Sequence, residues 1–590
     1  MMRNIVILML LATVVALPFL FRRQTGVREW REGDPVLVVI TPMNEAIRYE
    51  YALAFSAWHV EHFGAPVKVD WRNIGGSSEI SRYLTSEFVS SFRAWWTGQG
   101  RRWRPDGASI ILSRSFHPDR RPDNVSEEDW QEQCDLYLAF RNTDDPTEFS
   151  SQIDMYFGGG AYDGDNATRQ GLLVPAWAPS EVPTGLLETP DGTVLIPPGM
   201  SGETWRTPTY YGTTLSTFGI CYNRDRMAAQ GISREPRHWE DLADVRWFGT
   251  LGVADPTKSG SIAKAFETIV QVQCRKAVEA AGFRDHIEAY EAAIAAAHLP
   301  AGEMPEGVPV AYQEAVERGW AAGLRLVQKI GANARYFTDS ASKVPLDVGM
   351  GNAAAGLCID FYGRFEAVIS NGGRPVESMA YVTPLGGSGV SADPISILRG
   401  APHREIAQRF IEFLLSPEGQ QLWCYRVGEP GGPVKYALQR FPIRRDFYPS
   451  AEHPELQAAY ERHRPHTTDD LGTPTLNAYQ LAGEYVYHAR WTGGYYTLLR
   501  DLIRVMCMDS AVELKHAWKA IADAGGPDAC PDAVAMLERL PQVPEPLTWT
   551  SGLTLYSRYD RLDLLREWTV QYRTQYAEAA RLAAGKGGRP

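Results

Sequence analysis

The sequence is poor in cysteine, and its cysteines lie in no pattern that holds a metal or exchanges disulfides. Seven of them (Cys134, Cys221, Cys274, Cys358, Cys424, Cys507, Cys530) stand far apart, with no C-x-x-C pair and no Cys/His cluster at zinc spacing. A thiolate metal cage is set aside on that ground, and the odd count leaves at least one thiol without a partner in the chain. Basic charge is also short: Lys and Arg number 59 against 71 Asp and Glu, for a net −12. The local run Arg101, Arg102, Arg104 is soon followed by acidic residues, so no basic surface is expected to neutralise phosphates and nucleic acid is not a partner. Enzyme signatures are missing too: there is no G-x-S-x-G, H-E-x-x-H, G-x-x-x-x-G-K-[ST] or strand-linked G-x-G-x-x-G. The twelve histidines are scattered, and His59, with His62 at i, i+3, reads as a satisfied residue rather than a ligand. Asp144 and Asp145 read as a solvated turn, and most Trp and Tyr residues as core.

Long apolar runs are absent but for residues 5–21, preceded by Arg3 and followed by Arg22 and Arg23. That length lies between a signal-peptide core and a short membrane span, and either would export the rest. No A-x-A-like site or cysteine ends the run, which leaves an uncleaved inner-membrane anchor and a cleaved peptide both open. More arginines follow the run than precede it, which by the positive-inside rule points the other way. The case for export therefore rests on the body of the protein.

What is present is a chain of 590 residues, 44% hydrophobic and 22% charged, long enough for more than one core. Residues 36–40 read as a buried strand, and Ile47, Tyr51, Phe55, Trp58 and Phe63 as a helix capped by Asn44 and stopped at Gly64. A strand at 67–71 runs into Gly75, Gly76, Ser77 and Ser78, where a new helix starts. Residues 92–149 lose the period and read as a partly helical surface insertion. The rhythm returns with a strand at 153–157, glycines 158–160 and a helix to Gly171, and 175–202 reads as loop. Further strands are expected at 218–222, 251–254, 356–360 and 390–398. Helices are expected at 223–230, from Pro236, Trp239, Asp241 and Leu242, across 260–330, and around Ile406, Phe410, Phe413 and Leu414. From 450 onward the chain reads as mostly helical. Strand-helix alternation of this kind specifies parallel sheets with helices on their faces.

Four loops, at 41–44, 75–78, 158–160 and 257–261, each follow a strand, consist of small or polar residues, and precede a helix. Glycine and serine admit a ligand close to the backbone, and free N–H groups at a helix start favour negative charge. Each loop alone is ordinary turn and cap chemistry. Together, at the carboxyl ends of strands, they predict a composite site for a polar or anionic ligand.

These residues resemble a known family. Pro42, Asn44, Glu45, Ala46, Ile47 and then Gly75 to Ile80 are similar to the opening of family 1 extracellular solute-binding proteins of ABC importers, of the ferric-iron-binding type. The likeness continues through 153–160, Phe218, Gly219, Ile220, Tyr222, Asn223, the P-x-x-W-x-D-L pattern of Pro236, Trp239, Asp241 and Leu242, the D-P-x-x-S-G-S loop from Asp255 to Ser261, and the helix from Ala407 to Gln420. The matches are collinear from about 36 to 423.

The resemblance implies an α/β, two-lobed type II periplasmic-binding-protein fold that closes on its ligand. Its divisions would be residues 1–34 as signal or anchor and linker, 35–217 as the first lobe, 218–389 as the second, 390–425 as the return to the first, and 426–590 as a mainly helical C-terminal extension buttressing one lobe. It implies a periplasmic monomer that is not an enzyme, needs no cofactor, and delivers a small solute to an ABC permease. The site would comprise Asn44, Gly76, Ser77, Ser78, Gly159, Gly160, Ser259, Gly260, Ser261, Asp360 and Tyr362. Iron-binding members are similar in carrying adjacent tyrosines after the strand that here ends at Ile359; this chain has Phe361 and Tyr362, so one phenolate donor is lost. Tyr362 and Asp360 would serve if the cargo is ferric iron, and an anionic, phosphorylated organic solute stands slightly ahead. The adjacent pair Tyr210 and Tyr211 reads as core or cleft wall. A secreted carbohydrate- or phosphate-processing enzyme and a membrane-anchored scaffold are the alternatives.

Overall fold

The computed structural model describes residues 28–299, 303–372 and 376–587. The apolar run 5–21, and with it the anchor reading, lies outside them. Among the described residues no helix is long and apolar enough to cross a membrane.

Along the chain the strands are β1 (Val36–Ile40), β2 (Lys68–Arg72), β3 (Met155–Phe157), β4 (Leu173–Val174), β5 (Gly199–Met200), β6 (Glu203–Thr204), β7 (Tyr211–Ser216), β8 (Phe218–Asn223), β9 (Leu251–Ala254), β10 (Ala334–Thr338), β11 (Ala355–Ile359), β12 (Met379–Val382), β13 (Ser391–Leu398) and β14 (Phe441–Pro442). Among the described residues one seven-stranded sheet runs β14-β7-β13-β3-β1-β2, with β4 also paired to β13, and a five-stranded sheet runs β10-β9-β11-β8-β12. In the first, β1 is parallel to β2 and β3, and β13 enters antiparallel to β3. The second repeats the plan, with β9 parallel to β10 and β11 and β8 antiparallel to β11. Only Thr217 separates β7 from β8, so the chain crosses from one sheet to the other almost without a turn. It recrosses between β12 and β13. These two helix-covered sheets, joined by two crossings of the chain, form the two-lobed α/β fold expected from the sequence.

Burial explains the apolar runs. Every residue of β8, β9 and β11 is buried, as continuous apolar strands covered on both faces require. The helix Glu45–Phe63 turns Ile47, Tyr51 and Phe55 inward and ends at Gly64 in the left-handed conformation. His59 is buried and satisfied, its Nδ1 2.6 Å from Ala65 O.

Three expectations change. Residues 92–149 are not a loose surface insertion: the helix Ser77–Gly98 continues past Phe92, and with helices Gly107–Ile111 and Glu127–Asn142 it builds a second core around Phe88, Phe92, Trp96, Ile110, Phe140 and Phe149. The helix expected from Pro236 is a short 3-10 helix, Trp239–Ala243, whose start Asp241 caps by accepting from Arg237 N and His238 N. Asp144 is not a solvated turn residue; it accepts from Gly400 N at 2.7 Å and pairs with Arg404 at 2.5 Å. All seven cysteines are buried and free.

The extension packs on the second lobe's helix Val310–Asn333, where Gln328 Nε2 donates to Tyr576 OH (2.7 Å) and Trp518 Nε1 to Asn333 Oδ1 (2.8 Å). It also touches the first lobe, whose sheet takes β14 beside β7.

Candidate functional site

Between the lobes lies a cavity of about 840 Å³. Helix starts from both lobes face it. Asn44 caps Glu45–Phe63 by accepting from Ile47 N at 3.0 Å, and Gly76 precedes Ser77–Gly98. Gly160 precedes Ala161–Arg169, after Gly158 and Gly159 turn the chain at φ +104° and +84°, values that side chains resist. Ser259 caps Gly260–Ala280, its Oγ accepting from Ile262 N at 3.4 Å.

The loops of the two lobes touch. A Cβ on Gly76 would stand 3.1 Å from Lys258 O, and one on Gly260 would stand 2.9 Å from Ser77 Oγ. Asn44, Gly76, Ser77, Gly159, Gly160, Ser259, Gly260, Ser261 and Tyr362 all line the cavity. Two residues of the expected set do not. Ser78 faces a neighbouring basin and accepts from Arg500 Nη2 at 3.1 Å. Asp360 is 1% exposed, accepts from Phe361 N at 2.8 Å, and sits near Arg440 and Arg364; burial still lifts its carboxyl to about 6. Tyr210 stays in the core, donating to Asp165 Oδ1 at 2.9 Å.

Several lining residues escaped the sequence reading. Asp163 stands among the helix starts, accepting from Gly160 N at 3.3 Å, and burial raises its carboxyl above the usual range. Lys264 lies 2.9 Å from Glu203 and 3.1 Å from Glu267, and these carboxylates lift its ammonium well above its ordinary value despite burial. Behind the wall, the fully buried Arg440 bonds the lining residue Asp393 at 2.5 Å and lies over the Phe361 ring. Tyr487 and Tyr496 come from the extension. The only sequence signal for them was an aromatic-rich stretch, which reads equally well as packing.

The arrangement offers backbone donors and helix starts around a partly apolar chamber. Among the described residues no group of three or more His, Cys, Asp or Glu side chains is placed to hold a metal ion.

Residues 180–444 match the model of a family described as bacterial extracellular solute-binding protein. The chain is 25% identical over 208 residues to an uncharacterized protein of Haemophilus influenzae, covering 35% of this chain and 45% of that one. It is 21% identical over 214 residues to the phosphoglycerate transport regulatory protein PgtC of Salmonella typhimurium, covering 36% and 40%. The matched stretch thus spans less than half of either relative. Among solved structures it is similar to the periplasmic binding protein AfuA from Actinobacillus pleuropneumoniae, at 16% identity and a TM-score of 0.42, covering 79% of this chain and 99% of that one. The family match thus runs from the end of the first lobe through the second and back.

Proposed function

We propose that this chain is the periplasmic substrate-binding component of an ABC importer, which captures a small anionic organic solute between its lobes and hands it to a membrane permease. The observation that carries this reading is the convergence of four helix starts, drawn from both lobes, on one cavity. Helix starts attract anions through their free N–H groups and dipoles, and a ligand touching both lobes favours their closed arrangement. No bond is broken in such capture, so no general acid or base is required.

A phosphate ester is the favoured cargo. Its phosphate suits the Gly76, Gly160 and Ser259 loops, and the Salmonella relative is named for phosphoglycerate transport. Ferric iron ranks behind: Tyr362 is at the wall with its phenol pushed up to about 12 by burial, and Asp360 is buried away from the cavity.

The test is a thermal-shift panel of phosphate esters, phosphonates, polyamines, thiamine and ferric citrate, with native mass spectrometry of the purified protein. One member at about 100 times its Kd should add about 2.7 kcal/mol of stability. No shift and no bound species would overturn the reading. Turnover of a panel member would replace it with an enzyme.

A further inference from the structure

The cavity has a third wall, supplied by neither lobe. Tyr487, Ala489, Gly493, Gly494 and Tyr496 of the extension line it. This wall is tied to both lobes. Tyr487 N donates to Ser201 O of the hairpin before the crossing (2.8 Å), and Tyr487 OH donates to Glu267 Oε1 on the second lobe (2.6 Å). Tyr496 OH donates to Gly260 O of the second lobe at 3.1 Å, while its ring packs 4.3 Å from that of Tyr162 on the first.

The wall differs chemically from the rest of the cavity. Among the described residues every charged side chain along the cavity comes from Asp393 or earlier in the chain, whereas the extension offers two phenols, an alanine and two glycines. An uncharged surface of this kind buries C–H groups against aromatic rings and leaves phenol oxygens to meet hydroxyls. It has nothing to offer an inorganic anion.

We propose that the extension is a working part of the binding site. The helix starts hold the anionic end of the ligand, and the wall at 487–496 receives its uncharged, hydroxyl-bearing carbon part. Tyr487 and Tyr496 thereby set which organic anions fit. The inference rests on the reading that the cavity takes an organic anion, and it adds a discriminating role to a segment that sequence alone presents as a buttress.

Calorimetric titration of the full chain with 3-phosphoglycerate, fructose 6-phosphate and inorganic phosphate tests it, in the wild type and in Tyr496→Ala, Tyr496→Phe and Ala489→Leu. Tyr496→Ala should weaken the preferred ester by about tenfold or more, with inorganic phosphate held within about twofold. Tyr496→Phe, which keeps the ring, should stay within about threefold of wild type for the ester. Ala489→Leu narrows the wall side and should exclude the esters while admitting phosphate, which keeps the test intact if Tyr496→Ala fails to fold. Esters bound equally by wild type, Tyr496→Ala and Ala489→Leu would overturn this inference and leave the proposed function standing. Equal weakening of esters and phosphate would overturn it as well. A wild type that binds no ester, and carries no organic anion by native mass spectrometry, would remove both.

Discussion

Lys264 Nζ, on the helix that begins the second lobe's side of the cleft, stands 2.9 Å from Glu203 Oε1 on the hairpin of the first, so a buried ion pair ties the two lobes together at the cavity wall. Glu267 completes the cluster at 3.1 Å. Lys264→Met would leave both carboxylates without their cation in a site where their side chains are 7% and 3% exposed. The expected cost is roughly 3 kcal/mol in urea denaturation at pH 7, shrinking in acid as Glu203, whose carboxyl burial raises, takes up a proton. A pH-independent loss would mean that the carboxylates are not the source of the cost.

Gly160 offers a way to block the cavity without crowding the fold. Its backbone is extended at φ −142°, it lines the cavity, and a Cβ there meets nothing within 4 Å. Gly160→Phe should abolish ligand-induced thermal shift while lowering the stability of the empty protein by about 1 kcal/mol or less, the cost of a poorer cap. Ser77→Trp and Ser259→Trp should lose both binding and stability, since these serines are only 7% and 8% exposed where the loops meet.

Arg500 fastens the extension to both lobes in the basin beside the cavity. Its guanidinium donates to Pro256 O at 2.7 Å, Thr257 O at 2.6 Å and Ser78 Oγ at 3.1 Å, joining a second-lobe loop to the first lobe. Arg500→Ala should lower stability by about 2 kcal/mol and widen the particle in small-angle X-ray scattering. Arg500→Lys should rescue little, because one ammonium cannot span three acceptors in this planar layout. An unchanged scattering profile in Arg500→Ala would deny the residue this bridging role.

Asp360 makes stability depend on pH. Burial lifts its carboxyl to about 6, against the pull of Arg440 and Arg364, whereas an unfolded aspartate loses its proton near 3.9. The folded state thus holds a proton that the unfolded state has released. The associated stability is fully present below about pH 4 and is lost as pH rises through about 6. Asp360→Asn should flatten that slope and exceed wild type at pH 8 by up to about 3 kcal/mol, measured by denaturation at several pH values.

Much of this architecture is legible in sequence because the strands that carry it are mostly buried. β1, β8, β11 and β13 announce themselves as apolar runs, and the loops at 75–78, 158–160 and 257–261 as glycine and serine at helix starts. β7 does not, since its sequence Tyr-Gly-Thr-Thr-Leu-Ser lacks an apolar run. Its hydroxyls are satisfied by neighbours, Thr213 by Asp393 O at 3.0 Å and Thr214 by Phe441 O at 2.8 Å. Lys264, Tyr487 and Tyr496 were hidden for a different reason: each meets a partner far along the chain, and no local spacing encodes which way the extension folds. Tyr485, Trp491 and Tyr495 are buried, as aromatic residues read as core should be, and nothing in their order points to the cleft.

The seam between β14 and β7 makes the extension impossible to remove cleanly. A chain severed after residue 425 would lose an edge of the first sheet, the Gln420 Oε1 acceptor would lose Ile443 N, and Asp393 would face an empty space where Arg440 had been. Amputation would therefore damage the first lobe as well as the second, on whose helix Val310–Asn333 the extension packs.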